Sequence, residues 1–326
     1  MEKKDLRIVF MGTPEFACAS LRALAEGGYC VVGAVTMPDK PVGRHGSVLR
    51  ASAVKQYALT RGIPVLQPVV AADAAFLDDL RALRADLQVV VAFRMLPEAV
   101  WSMPRFGTFN LHASLLPQYR GAAPINWAVI RGETETGVTT FFLTHGMDTG
   151  RIIMQRRLPV GDEDDAGAVH DRLMIAGAEL TLDTVDLILA GDGRIDTLPQ
   201  ETLRGDAATL HTAPKLFTDT CRVDWRRPAL SVCNLVRGLS PSPAAWTELV
   251  FDGGDVRTLK IYRASVCPGN TTLPAGTVRA DAKADTLDVA AGDGFVRLLD
   301  VQLAGKKRMA ASSFLNGMRQ RILTAR

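Results

Sequence analysis

Aromatic residues make up only 6% of the 326-residue chain, and no apolar run approaches the roughly 18–20 residues that cross a bilayer. Lys3 and Lys4 open the sequence, but the apolar stretch behind them, Ile8–Met11, is too short for a secretory core and runs into Gly12-Thr13-Pro14. Five cysteines, Cys18, Cys30, Cys221, Cys233 and Cys267, form an odd set with no C-x-x-C pair, which suits reduced thiols in a cytoplasm better than a disulfide framework. The five histidines are scattered, with no H-E-x-x-H and no Cys/His cluster, so no metal site is read. No G-x-G-x-x-G follows a strand, which leaves out a dinucleotide cofactor, and no G-x-S-x-G offers a nucleophile elbow.

What is present is 47% apolar and 22% charged, the profile of a globular protein of about two domains at roughly 150 residues each. The net charge of +3 is unevenly spread. Residues 1–202 carry 20 Lys and Arg against 24 Asp and Glu, net −4, while residues 203–326 carry 18 against 11, net +7. A basic rear half points to a polyanionic partner.

Short β-branched runs alternate with helical patterns through the first half. Strands are expected at Leu6–Met11, Val31–Thr36, Pro64–Leu66, Leu87–Phe93 and Thr108–Leu111, with helices at Phe16–Glu26, Val54–Arg61, Asp73–Arg84 and Gly121–Ile130. Unbroken apolar strands between helices imply a parallel sheet covered on both faces. A strand pair, Val138–Phe142 and Arg151–Leu158, and a long helix, Ala168–Leu189, complete that part. Few large apolar groups occur in 194–214, which reads as a linker. Beyond it a helix, Ala229–Gly238, precedes short strands at Leu259–Ser265, Gly276–Arg279, Leu287–Ala290 and Phe295–Val301, and Ser312–Leu323 closes as a helix. The expected fold is α/β: a Rossmann-like parallel-sheet catalytic domain over 1–193, a linker over 194–214 and a small OB-like β-barrel domain over 215–326.

Asn110 and His112 stand two apart on an expected apolar strand, so both face the same way. Two unpaired polar groups buried there would each cost on the order of 1–3 kcal/mol, which favours a site over a structural pair. Gly146 and Gly150 bracket Asp148 on a tight turn, which taken alone is an ordinary β-turn. Joined to Asn110 and His112, it completes an amide, an imidazole and a carboxylate with no clear nucleophile attached, although Ser114 is near. Such a set suits direct attack by a substrate amine on a carbonyl.

The run from Asn110 through His112, Pro117, Arg120 and Gly121 to Pro124, followed by Asp148 and Gly150, resembles the signature of formyltransferases that use 10-formyltetrahydrofolate. The wider match is similar to the members acting on initiator methionyl-tRNA: Phe10–Pro14, Pro38–Pro41 with Gly43-Arg44, Ile63–Gln67, Glu135–Val138, Lys215–Phe217 up to Asp224-Trp225, and Gly305–Met309. The resemblance implies Asn110, His112 and Asp148 as catalytic residues. It also implies a folate pocket along Phe93, Arg94, Met95 and Leu96 and along Ser114, Leu115, Leu116 and Pro117. Lys40, Arg44 and Arg50 of an insertion loop, with Lys306, Lys307 and Arg308 of the basic domain, would meet the tRNA. No metal is implied, and a monomer is expected. Arg94 stands where such proteins commonly carry glycine, and either pairing with the folate tail or an outward turn fits it. A transferase acting on an amino-sugar nucleotide and a formyl-folate hydrolase are the alternatives.

Overall fold

A computed structural model describes residues 1–42, 48–203, 210–281, 285–318 and 320–326. In chain order the elements are β1 (Arg7–Gly12), α1 (Glu15–Glu26), β2 (Cys30–Val35), β3 (Lys40–Val42), β4 (Val48–Arg50), α2 (Ala53–Thr60), β5 (Val65–Leu66), α3 (Ala74–Ala82), β6 (Leu87–Val91), α4 (Glu98–Trp101), β7 (Thr108–His112), β8 (Arg120–Gly121), α5 (Pro124–Ile130), β9 (Glu135–Phe142), β10 (Ile152–Pro159) and α6 (Ala166–Ala190). They continue as β11 (Thr212–Ala213), α7 (Ala229–Leu239), β12 (Ala245–Phe251), β13 (Val256–Cys267), β14 (Val278–Asp281), β15 (Thr286–Ala290), β16 (Phe295–Leu303), β17 (Met309–Ala310), α8 (Ala311–Asn316) and β18 (Ile322–Ala325). Two units emerge, each discontinuous in sequence. The first comprises Met1–Gly121, Thr136–Leu158 and His170–Thr212; the second comprises Ala122–Glu135, Pro159–Val169 and Ala213–Arg326.

The first unit is built on a sheet of order β10-β9-β7-β6-β1-β2-β5. Strands β5, β2, β1, β6 and β7 pair in parallel, while β9 runs antiparallel to β7. All five residues of β6 are buried, as an apolar strand covered on both faces must be. The chain steps from β1 to β2 on one side and returns to β6 on the other, so a crevice opens beyond the carboxyl ends of β1 and β6. Gly12 ends β1 where a Cβ would lie 2.6 Å from the Ala17 Cβ and 2.9 Å from the Val91 carbonyl, so only glycine lets α1 approach the sheet. Pro14 is the N-cap of α1. Ser52 caps α2 by accepting from the Lys55 amide at 3.1 Å.

The second unit carries the sheet order β14-β15-β16-β13-β12-β18. A bridge between Thr277 and Thr324, with the Ala325 amide donating to the Gly276 carbonyl at 2.8 Å, brings its ends together into a nearly closed antiparallel barrel. Helix α7 buries Val232, Cys233, Val236 and Leu239 in its core, with Trp225, Leu249, Ile261 and Val301. Both expected architectures, the parallel α/β sheet and the barrel after it, are present.

The observed elements depart from expectation in several places. The last helix stops at Asn316, short of Leu323, because Ile322–Ala325 pairs with β12 as a strand and Gly317 breaks the helix. Strand β12, with alternating buried residues, was not anticipated. Helix α5, expected with the first domain, packs on α7: Asn126 donates to the Gly238 carbonyl at 2.7 Å, and a Cβ on Gly238 would reach 2.4 Å from the Ile130 side chain.

Candidate active site

Strand β7 lies between β6 and β9, so its pleat is fixed from both sides. Phe109 and Leu111 fill the core on one face, which turns Asn110 and His112 to the other. His112 is 6% exposed, and its Nε2 lies 2.9 Å from the Tyr119 carbonyl oxygen. A carbonyl only accepts, so Nε2 carries the proton and Nδ1 is left for chemistry. Asp148 Oδ2 sits 3.9 Å from Nδ1, beyond a direct hydrogen bond but close enough to act on charge at the ring or through one water. The Asn110 side chain, half-buried, makes no hydrogen bond among the described residues.

Asp148 occupies a left-handed turn with φ 52°. Its carboxylate accepts from the Gly121 amide at 3.0 Å. Gln200 donates to the carbonyls of Asp148 and Gly150, each at 2.8 Å, and accepts from Arg120 Nε at 3.0 Å and Nη2 at 2.6 Å. Gln200 is wholly buried. The described part of 194–214, expected as a linker, therefore belongs to the first unit up to Thr212. Nothing in the sequence marked Gln200, because its partners stand 52 and 80 positions away.

Of the two expected folate segments, Met95 is 71% exposed and Phe93 and Leu115 are half-buried. Leu96 and Leu116 are core residues, Leu96 among Val9, Met11 and Val90 and Leu116 beside Phe141 and Ile152. Ser114 donates its hydroxyl to the Gln118 carbonyl at 2.6 Å, which occupies it as a nucleophile. The Ser114–Pro117 turn is clamped from the sheet. Thr139 donates to the Ser114 carbonyl at 2.7 Å and accepts from the Leu116 amide, while Gln155 donates to the Leu116 carbonyl at 2.8 Å. Thr139 and Gln155 went unnoticed in the sequence, although polar residues inside apolar strands were their signal. Arg94 turns back onto the chain: its guanidinium donates to the carbonyls of Pro68 at 2.6 Å and Val69 at 2.7 Å, with Nε buried and unpartnered.

The model of the formyl transferase family matches residues 6–185, and the model of the formyl transferase C-terminal domain matches residues 215–319. The chain belongs to the formyl transferase family. It is 64% identical over 320 residues to the methionyl-tRNA formyltransferase of Parabacteroides distasonis, covering 98% of each chain, and 57% identical over 319 residues to that of Phocaeicola vulgatus, again covering 98% of each. In fold it resembles an N-formyltransferase from Helicobacter canadensis, solved in complex with folinic acid and dTDP-3-aminofucose, with a TM-score of 0.63, 16% identity and 91% and 99% of the two chains covered. The expected formyltransferase resemblance is borne out over nearly the whole chain.

Within this formyl transferase the basic residues are dispersed. Arg44 lies outside the described residues. Lys40 and Arg50 face each other across the β3–β4 hairpin and are exposed. Together with Thr13, Arg22, Ser52 and Tyr57 they line a cavity of about 690 Å³ at the carboxyl edge of the sheet. In the second unit Lys306, Lys307 and Arg308 are exposed on the turn after β16, and Arg308 is paired to Asp300 at 2.6 Å. Among the described residues no group of three His, Cys, Asp or Glu side chains could hold a metal, and no helix is long and apolar enough to cross a membrane.

Proposed function

We propose that this chain transfers the formyl group of 10-formyltetrahydrofolate to the methionine amino group of initiator methionyl-tRNA, as a cytoplasmic monomer. The carrying observation is the conjunction of an unpartnered Asn110 amide with the His112–Asp148 pair in a chain matched over 98% of its length, at 64% identity, by a methionyl-tRNA formyltransferase. The neutral amine attacks the formyl carbon, whose oxygen becomes an oxyanion. Asn110 donates to that oxygen, and His112 carries the developing positive charge, with the Asp148 carboxylate 3.9 Å from Nδ1 on the side of the ring left for chemistry. Collapse breaks the bond from the formyl carbon to the folate nitrogen, and the proton shed by the amine passes through His112 to that nitrogen. Phe93, Met95 and Leu115, with the main chain of Ser114–Pro117, flank the folate. Lys40, Arg44 and Arg50 meet the acceptor end, and Lys306, Lys307 and Arg308 meet phosphate, a salt-dependent contact.

A formyl-transfer assay with charged initiator tRNA and an amino-sugar nucleotide in parallel tests this reading. Turnover is expected with the tRNA alone, falling as salt rises. Asn110→Ala, His112→Ala and Asp148→Ala are each expected to lower kcat at least ~100-fold with folding preserved. Near-normal turnover in any variant removes that residue from the mechanism, and preference for the sugar nucleotide refutes the substrate.

A further inference from the structure

Asp148 lies in the left-handed region at φ 52°, which an aspartate adopts at modest cost when its turn is held in place. The groups that hold the turn converge on Gln200. Its two amide hydrogens go to the carbonyls on either side of the turn, Asp148 and Gly150, and its oxygen takes both Nε and Nη2 of Arg120. All four hydrogen-bonding capacities of a carboxamide are thus used in a wholly buried position. The residue after Arg120 is Gly121, whose amide donates to the Asp148 carboxylate. The circuit fixes the main chain of Asp148 through Gln200 and its side chain through Gly121, and the carboxylate is left facing His112 Nδ1.

We propose that Gln200 is a positioning residue for formyl transfer, setting where the Asp148 carboxylate stands relative to His112. This rests on the catalytic role given to Asp148 above. Glutamate at 200 would keep the Arg120 contacts and lose both donors, turning an oxygen against two carbonyls; alanine would lose the whole circuit. Neither change touches a substrate, so binding of folate and tRNA should be spared while the chemical step slows.

Steady-state formyl transfer by Gln200→Glu and Gln200→Ala, counted per folate-binding site so that unfolded molecules drop out, tests the idea. Expected is a kcat about 10–30-fold lower, the scale set by sub-ångström misplacement of a reacting group, with KM for both substrates within twofold. In an Asp148→Ala background the Gln200→Glu change should cost less than twofold more, since its target is gone. A kcat within twofold of the unaltered enzyme, a loss carried by KM, or an undiminished second loss in that background overturns the inference while leaving the function standing. Normal turnover by Asp148→Ala alone instead removes the parent assignment, and this inference falls with it.

Discussion

Gly150→Ala perturbs the Asp148 turn from its far end. A Cβ built on Gly150 lies 1.6 Å from the Phe142 carbonyl oxygen and 3.2 Å from the Phe141 ring, where real contacts begin near 3.0 Å. Phe141 is wholly buried, so the strand cannot retreat and the turn must move by about 1.4 Å to bring the 1.6 Å approach out to 3.0 Å. That shift breaks the 2.8 Å bond from Gln200 and drags the Asp148 carboxylate away from His112. Overpacking of this kind costs about 1–3 kcal/mol of stability, and a 1 Å misplacement costs about 100-fold in rate. Gly146→Ala offers a contrast, because the nearest atoms its Cβ would meet all belong to the Thr149 side chain, Cγ2 at 3.1 Å and Cβ at 3.2 Å behind the hydroxyl, rather than to a buried strand backbone. Gly62→Ala, with φ 66° and open space around it, isolates backbone strain alone, about 1 kcal/mol and no loss of turnover. Kinetics and thermal unfolding on the three variants decide the matter. A Gly150→Ala enzyme that melts earlier yet keeps kcat within twofold refutes the claim that the carboxylate must stand where it does.

Gln155→Ala strips hydrogen bonds from the Leu116 carbonyl and Thr139, each worth about 1 kcal/mol net, so KM for the folate donor should rise roughly tenfold; an unchanged KM dissociates that clamp from folate binding. Arg94→Ala abandons the Pro68 and Val69 carbonyls and should lower stability by about 1–3 kcal/mol with donor KM within twofold. A tenfold KM rise at constant Tm would make Arg94 a folate ligand instead. Burial pushes the Cys233 thiol up to about 11, so at pH 8 only about one molecule in a thousand is thiolate. Thiol titration of the native protein should give the same count with Cys233→Ser as without it, and a count lower by one contradicts this.

Residues whose partners are local or periodic were readable from the sequence, and those with distant partners were not. The apolar run of β6 and the two-residue spacing of Asn110 and His112 carry their own geometry, since a pleat fixes which side chains share a face. The glycines around Asp148 marked a tight turn, but its proximity to His112 depends on how β7 and β9 pair. The alternation in Ala245–Phe251 was legible in the sequence, although no strand was expected there. Ser312–Leu323 looked helical because propensity is local, whereas the pairing of Ile322 with Phe251 is not. Gln200 offered no pattern at all: a lone amide in a polar stretch gains meaning only from Arg120 and Asp148.

The interleaving of the two units bears on how the protein is made. Helix α5 leaves the ribosome about a hundred residues before α7, the helix whose Gly238 receives its Ile130 side. At about 5–20 residues per second that is roughly 5–20 s during which an apolar surface has no mate. Completion of the barrel unit therefore waits on β18 (Ile322–Ala325), and a nascent chain stalled before residue 229 would present α5 to chaperones rather than to its own core.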